Sequence, residues 1–172
     1  MPKDPAEALS VLHGLRIRCV GRALDMLWIH FGDYRTYCDD RGKSREVGEW
    51  ALHVQCPWRF VHSVGITLAS ADVYFYANRD EPYDFRAGGE SVFDRKAAQL
   101  NRVLESGDFR VSSIAVGVSG TFELECNDEL RFSVFPNASY QDPTGEFWRM
   151  FRPDREGPHY AVSANGFEIF QS

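Results

Sequence analysis

Hydrophobic positions in this chain recur mostly at every second residue, and at helical spacing in only two places. The longest alternating run is Gly48 to Phe60, where Trp50, Leu52, Val54, Cys56, Trp58 and Phe60 alternate with Ala51, His53, Gln55, Pro57 and Arg59. Successive side chains of a strand point to opposite faces, so the run predicts one strand with a core face of unusual bulk. Its other face carries an imidazole, an amide and a guanidinium, with neighbours roughly 7 Å apart. Before it, Leu15 to Phe31 predicts two strands joined near Gly21-Arg22. In the first, Leu15, Ile17 and Cys19 alternate with Arg16, Arg18 and Val20; the second, from Leu24, is apolar at nearly every position, as for a strand covered on both faces. After it, 62–69 and 72–76 read as strands. The C-terminal half adds 109–118, a hairpin of Phe122-Leu124-Cys126 and Leu130-Phe132-Val134 around Asn127-Asp128, then 147–151 and a run over 160–170 bent at Asn165-Gly166.

The two helical signals are specific. Asp4-Pro5-Ala6-Glu7 supplies an N-cap, a proline at the first helical position and an acid in the first turn, with Ala8, Val11, Leu12 and Leu15 following. Ser91 and Asp94 form a capping box, ahead of Phe93, Ala97, Leu100 and Leu104. Between these elements lie two long connections, 32–48 and 78–90, of the kind that carries function or mobility, and a loop over 136–145. Strands, a helix, then strands again predict a single α+β domain over 1–172. It is mostly antiparallel sheet, curled or two-layered, with an N-terminal helix and one central amphipathic helix.

Composition narrows the function classes. The chain has 172 residues, of which 44% are hydrophobic and 14% aromatic, enough for one substantial core. A net charge of −6 argues against nonspecific binding to nucleic acid or anionic membranes, which need a basic surface. Of 19 basic residues only Lys3, Lys43 and Lys96 are lysines. Codon usage accounts for that excess of arginine more simply than recognition does. The first ten residues are polar and start a helix, unlike the apolar run of a signal peptide, and no stretch reaches the ~20 apolar residues of a membrane span. Cys19, Cys38, Cys56 and Cys126 are far apart, with no C-x-x-C pair, which argues against a zinc or redox motif and for reduced thiols in a cytoplasm.

No nucleotide-binding glycine loop, nucleophile elbow or metalloprotease helix is present. Asp39-Asp40-Arg41-Gly42 reads as a solvated turn, since the alternating oxygens and closing glutamate of a calcium loop are missing. The histidines His13, His30, His53, His62 and His159 are scattered, and His30, within an apolar run, reads as a satisfied core residue. A Cys56–His53 dyad fails because residues three apart in a strand point to opposite faces. Glu146 would share a face with Trp148 rather than Arg149, so no ion pair is expected there. What remains is a polar surface: His53, Gln55 and Arg59 on one strand, and Arg16, Arg18 and Arg22 on another. Side by side, they would grip a carboxylate, a phosphate or an acidic protein. The simpler account is that these arginines pair with acids such as Asp25, Glu123 and Glu125.

The run Leu52-His53-Val54-Gln55-Cys56-Pro57-Trp58-Arg59-Phe60 resembles that of a family of small bacterial proteins with an L-H-V-Q-C-P-W-R strand. The resemblance extends from Gly21 through Phe93-Asp94 and implies no activity and no catalytic residue. The sequence therefore favours a non-enzymatic binding or interaction protein, immunity-like or regulatory, with no cofactor and no metal. The alternative is a small-molecule binder or enzyme for an anionic substrate, with Arg59 as anchor and His53 as acid or base. A homo-oligomer whose aromatic surface serves its own assembly is the third.

Overall fold

A computed structural model describes residues 1–38, 42–63, 65–127, 129–139 and 145–171. Thirteen strands lie within these residues: β1 (Ile17–Ala23), β2 (Met26–Phe31), β3 (Arg35–Cys38), β4 (Ser44–Val47), β5 (Trp50–Val54), β6 (Trp58–His62), β7 (Gly65–Ala69), β8 (Val111–Val116), β9 (Phe122–Cys126), β10 (Leu130–Val134), β11 (Glu146–Phe151), β12 (Pro158–Ser163) and β13 (Gly166–Gln171). Helices α1 (Pro5–Leu9) and α2 (Val92–Ser106) stand at the two positions their caps predict. The strands form a six-stranded sheet, β1-β2-β5-β11-β12-β13, a five-stranded sheet, β7-β6-β10-β9-β8, and the hairpin β3-β4. The fold is α+β with antiparallel pairing throughout.

One core lies between the two larger sheets. Leu27, Ile29, Leu52, Val54, Trp148 and Met150 face it from the first; Trp58, Phe60, Phe122, Leu124 and Phe132 face it from the second. The Phe122 and Trp148 rings meet across the interface at 5.4 Å, edge to face. Trp148 keeps its indole N–H satisfied by donating to the Gly120 carbonyl at 2.8 Å. Burying each such ring stabilises the fold by about 2–3 kcal/mol.

The run predicted as one strand is two strands in different sheets. The core alternation survives, but the chain turns a corner at Gln55-Cys56-Pro57. Gln55 N–H donates to Phe147 in the first sheet and the Pro57 carbonyl accepts from Phe135 N–H at the end of the second, each at 2.9 Å. Proline fits a corner because it has no N–H to leave unpaired.

The edge of β1 is closed by α2. Asn101 uses its side-chain amide like a peptide unit of a missing strand, accepting from Val20 N–H and donating to Val20 C=O, both at 2.9 Å. Further along, Ile17 N–H donates to Phe109 and Val111 N–H to Leu15, so β1 and β8 draw the two sheets together. A shift in pairing between Ile17 and Cys19 breaks the predicted alternation and turns Val20 inward beside Ile17.

Other departures have local causes. The hairpin turns at Leu24-Asp25 rather than Gly21-Arg22, because Gly21 lies inside β1 under the Trp28 indole, where a Cβ would come within 2.1 Å of the ring. The connection 32–48 contains β3-β4, whereas the predicted turn at Asp39-Asp40-Arg41 lies outside the described residues. The strand expected over 72–76 is largely a 3-10 helix, Ser70–Tyr74, started by the Asp72 carboxylate accepting from Ala69 N–H. Of the stretch expected as one strand over 62–69, His62 ends β6 and Gly65–Ala69 is β7, paired antiparallel to it.

Candidate functional site

The outer face of the six-stranded sheet is lined with rings. Cross-strand pairing sets two rows on it. One runs Gly21, Trp28, His53, Arg149, Ala161; the next runs Cys19, His30, Ala51, Phe151. His159 pairs with Phe170 on the neighbouring strands. Rings therefore meet across strands: Trp28–His30 at 5.0 Å, His53–Phe151 at 4.8 Å edge-on, and Phe151–His159 stacked at 4.6 Å. Gly48 lets the link from β4 to β5 pass close over β2, where a Cβ would come within 2.8 Å of the His30 Cβ. That close passage brings the β3-β4 hairpin beside the face. With the segment after β11 it encloses a cleft of about 690 Å³ lined by Trp28, His30, His53, Phe151, His159 and Arg45, among others.

The electrostatics of the cleft follow from burial beside guanidinium groups. Burial first, then Arg149, then the other two imidazoles push His53 down to about 4. Burial and then Arg45 lower His30, and burial and then Arg149 lower His159. Near neutral pH the three rings are uncharged, each able to donate one hydrogen bond and accept one. Arg149 Nη1 lies 3.4 Å from His159 Nδ1, so that nitrogen is the acceptor of the neutral ring and Nε2 carries its proton. Among the described residues, no hydrogen bond reaches either ring nitrogen of His53.

The guanidinium groups differ in what they already hold. Arg149 is engaged by Glu146 through two bonds, 2.8 and 2.6 Å, and lies 4.7 Å over the Phe170 ring. The expectation of no Glu146–Arg149 pair is overturned by a register irregularity between Glu146 and Trp148 that brings the two side chains together. Arg152 pairs with Glu49 and Asp154 at 3.4 Å each. Arg45 lies 5.1 Å over the Tyr37 ring, and among the described residues no carboxylate pairs with it. The Cys19 thiol is 3.9 Å from His30 Nδ1, but burial raises it, so it stays a thiol and offers no activated nucleophile.

The predicted polar surface is dispersed. His53 lies in the cleft. Arg59 lies on the outer face of the other sheet, 5.6 Å from the Phe135 ring, and Gln55 is exposed at the corner between them. The basic row on β1 is consumed by structure, with different acids from those expected. Arg16 donates to the Leu104 and Glu105 carbonyls at the end of α2 and lies 3.9 Å from Asp108. Arg18 donates to the Gly32 carbonyl and Asp33. Arg22 grips the Asp94 carboxylate through two bonds of 2.8 and 2.7 Å, holding that group down at about 2. Asp25 accepts from Tyr74 Oη at 3.5 Å and pairs with no arginine among the described residues. Sequence reasoning missed His30, His159, Arg149 and Arg45. The alternation in each strand was a signal for the outward direction of these side chains, but not for which strands lie side by side.

A second concavity of about 840 Å³ is larger, but among the described residues its lining of Ser119, Asn137, Asn165 and their neighbours contains no ionisable side chain. No group of three histidines, cysteines or acids suited to a metal occurs among the described residues. No protein-family model, no curated protein and no solved structure matches the chain.

Proposed function

We propose that the protein is a non-enzymatic binding protein whose ligand is a small anion with a flat apolar body, held in the cleft between the six-stranded sheet and the β3-β4 hairpin. The observation that carries this is His53: a half-buried imidazole with no hydrogen-bond partner at either nitrogen among the described residues, walled by Phe151 and facing a cleft whose rim carries Arg45, with which no described carboxylate pairs. Rings supply contact for a planar body, neutral imidazoles supply hydrogen bonds, and Arg45 supplies the charge. Arg45 takes the anchoring role that the sequence assigned to Arg59. Among the described residues no carboxylate orients any of the three imidazoles and no nucleophile is activated beside them, which favours holding over turnover. Four free thiols support a reducing, cytoplasmic setting.

Titration calorimetry with benzenesulfonate and benzoate, against neutral benzamide, tests this. The anions should bind and benzamide should not, and Arg45→Ala should weaken the anions about tenfold, as for loss of one charge-assisted contact. Equal heats for all three compounds, or none, would remove the proposal. A protein partner is the second reading, favoured by β13, whose outer edge has no neighbouring strand in the sheet order.

A further inference from the structure

We propose that the cleft takes up a proton together with its anion: His53 becomes an imidazolium as the ligand's negative charge settles between it and Arg45, so that affinity rises as the medium acidifies. This rests on the anion-binding reading above and adds how that site is regulated. The geometry supplies three conditions for it. The first is that both His53 ring nitrogens are uncommitted among the described residues, so one can keep its proton while the other receives one from solvent, with no other bond made or broken.

The second is the set of charges around the ring. On β11, Arg149 is the cross-strand neighbour of His53, with Glu146 bonded behind it. On β2 the neighbour is Trp28, with His30 one row away. From β12 comes His159, from the hairpin come Tyr37, Arg45 and Glu46, and from the segment after β11 come Arg152, Arg155 and Glu156. Of these, Arg152 and Arg155 are tied to Asp154, and Arg149 to Glu146. The field at His53 without ligand disfavours a further positive charge, and the imidazole lies low for that reason as well as for its burial. An anion in the cleft reverses the sign of the nearest Coulomb interaction, and the imidazolium that forms becomes a charge-assisted donor to it.

The third is that the other two imidazoles are less free to respond. His159 already meets Arg149 Nη1 through Nδ1, and His30 meets the Cys19 thiol through Nδ1. Each has one nitrogen engaged, so His53 is the member of the trio that can turn both of its nitrogens to a ligand.

The test uses benzenesulfonate, whose own charge is constant across the range, so any pH dependence belongs to the protein. Affinity should be about tenfold higher at about pH 5.5 than at about pH 7.5, the change expected when the ring in the complex returns to its ordinary value near 6.5 and so takes up its proton within that range. Calorimetry in buffers of different ionisation enthalpy should report uptake of that proton. In the wild-type chain, the His53 Cε1–H resonance should titrate at higher pH with ligand than without, a readout that needs no variant. His53→Gln should flatten the pH dependence of the affinity. Binding of equal strength at both pH values with no proton uptake overturns the proton linkage and leaves the ligand reading standing. A pH dependence that persists in His53→Gln, with an unmoved His53 resonance, overturns His53 as the acceptor. Absence of benzenesulfonate binding at either pH removes the ligand reading and the linkage with it.

Discussion

The two large sheets share one core but turn very different outer faces to their surroundings. On the six-stranded sheet, Trp28, His30, His53, Phe151 and His159 form a half-buried patch beside the hairpin and the segment after β11. On the five-stranded sheet the corresponding row is Ala69, Arg59, Ser133, Glu123 and Ala115, small and polar side chains with Ser133 donating to Glu123 at 2.6 Å. Both rows alternate with the same core, so the inward half of the pattern cannot distinguish them. The difference lies in what stands over each face. Long connections run beside the first, and there the outward positions are aromatic; on the second Arg59 and Ala115 are exposed and the outward positions are small or polar. The proposed ligand-binding role therefore rests on one face only.

The largest expected effect that separates the faces is loss of a ring. Phe151→Ala removes the contacts to both His53 and His159 and should destabilise the protein by about 2–3 kcal/mol in urea unfolding, near the low end for a large aromatic since the ring is only half-buried. A change below about 0.5 kcal/mol, the level of an open surface site, would mean that the aromatic patch is no more structural than the polar face.

Next is overpacking of the same face from below. In Gly21→Ala the new methyl meets the Trp28 ring, which forms the wall of the cleft. Displacing that indole should cost about 1–3 kcal/mol. It should also shift the tryptophan emission and weaken benzenesulfonate binding, none of which a change on the five-stranded sheet should do.

Acid should act on the first face as well. His53 is neutral down to about 4 in the folded chain, whereas in the unfolded chain it protonates near its ordinary value of 6.5. Above 6.5 both states are neutral there and the group contributes no pH dependence. As pH falls from 6.5 toward 4 the unfolded chain gains a proton the folded one refuses, so stability falls with pH in that window, by about 2 kcal/mol in all once solvent screening is allowed for. Chemical unfolding of the wild type at about pH 7 and about pH 4.5 should show the loss, and His53→Gln should remove much of it. Equal pH slopes for the two proteins would show that the ring is not held neutral by the fold.

How much of this was legible beforehand depends on the range of the signal. The caps of α1 and α2 are local, and Asp4, Ser91 and Asp94 marked both helix starts correctly. Alternation is also local, and it identified Leu52, Val54, Trp58 and Phe60 as core even though they belong to two sheets. It failed where the pleat is interrupted. The irregularity at Ile17/Cys19 reverses which β1 residues face in, and the one at Glu146/Trp148 makes the Glu146–Arg149 pair. The corner at Pro57 sends His53 and Arg59 to opposite sides of the molecule. The cleft draws His30, His53 and His159 from three strands far apart in sequence, and only strand order brings them together. Arg16, Arg18 and Arg22 looked like a binding row because their partners, Asp108, Asp33 and Asp94, are set by tertiary contacts rather than by spacing.

The smallest effect is the one that makes the comparison sharp. Arg59 sits in the same long run as His53, points away from the core as His53 does, and carries the charge an anion site needs. Yet it is exposed on the five-stranded sheet, and among the described residues its one ring contact is with Phe135 at 5.6 Å, near the outer limit for a cation over an aromatic face. Its cross-strand neighbours Ala69 and Ser133 offer it no carboxylate. Arg59→Ala should therefore change stability by less than about 0.5 kcal/mol and leave benzenesulfonate affinity unaltered, while Arg45→Ala weakens it. A substantial loss of binding in Arg59→Ala would join the two outer faces in one function. It would return the anchor to the corner strand and remove the cleft's claim to the ligand.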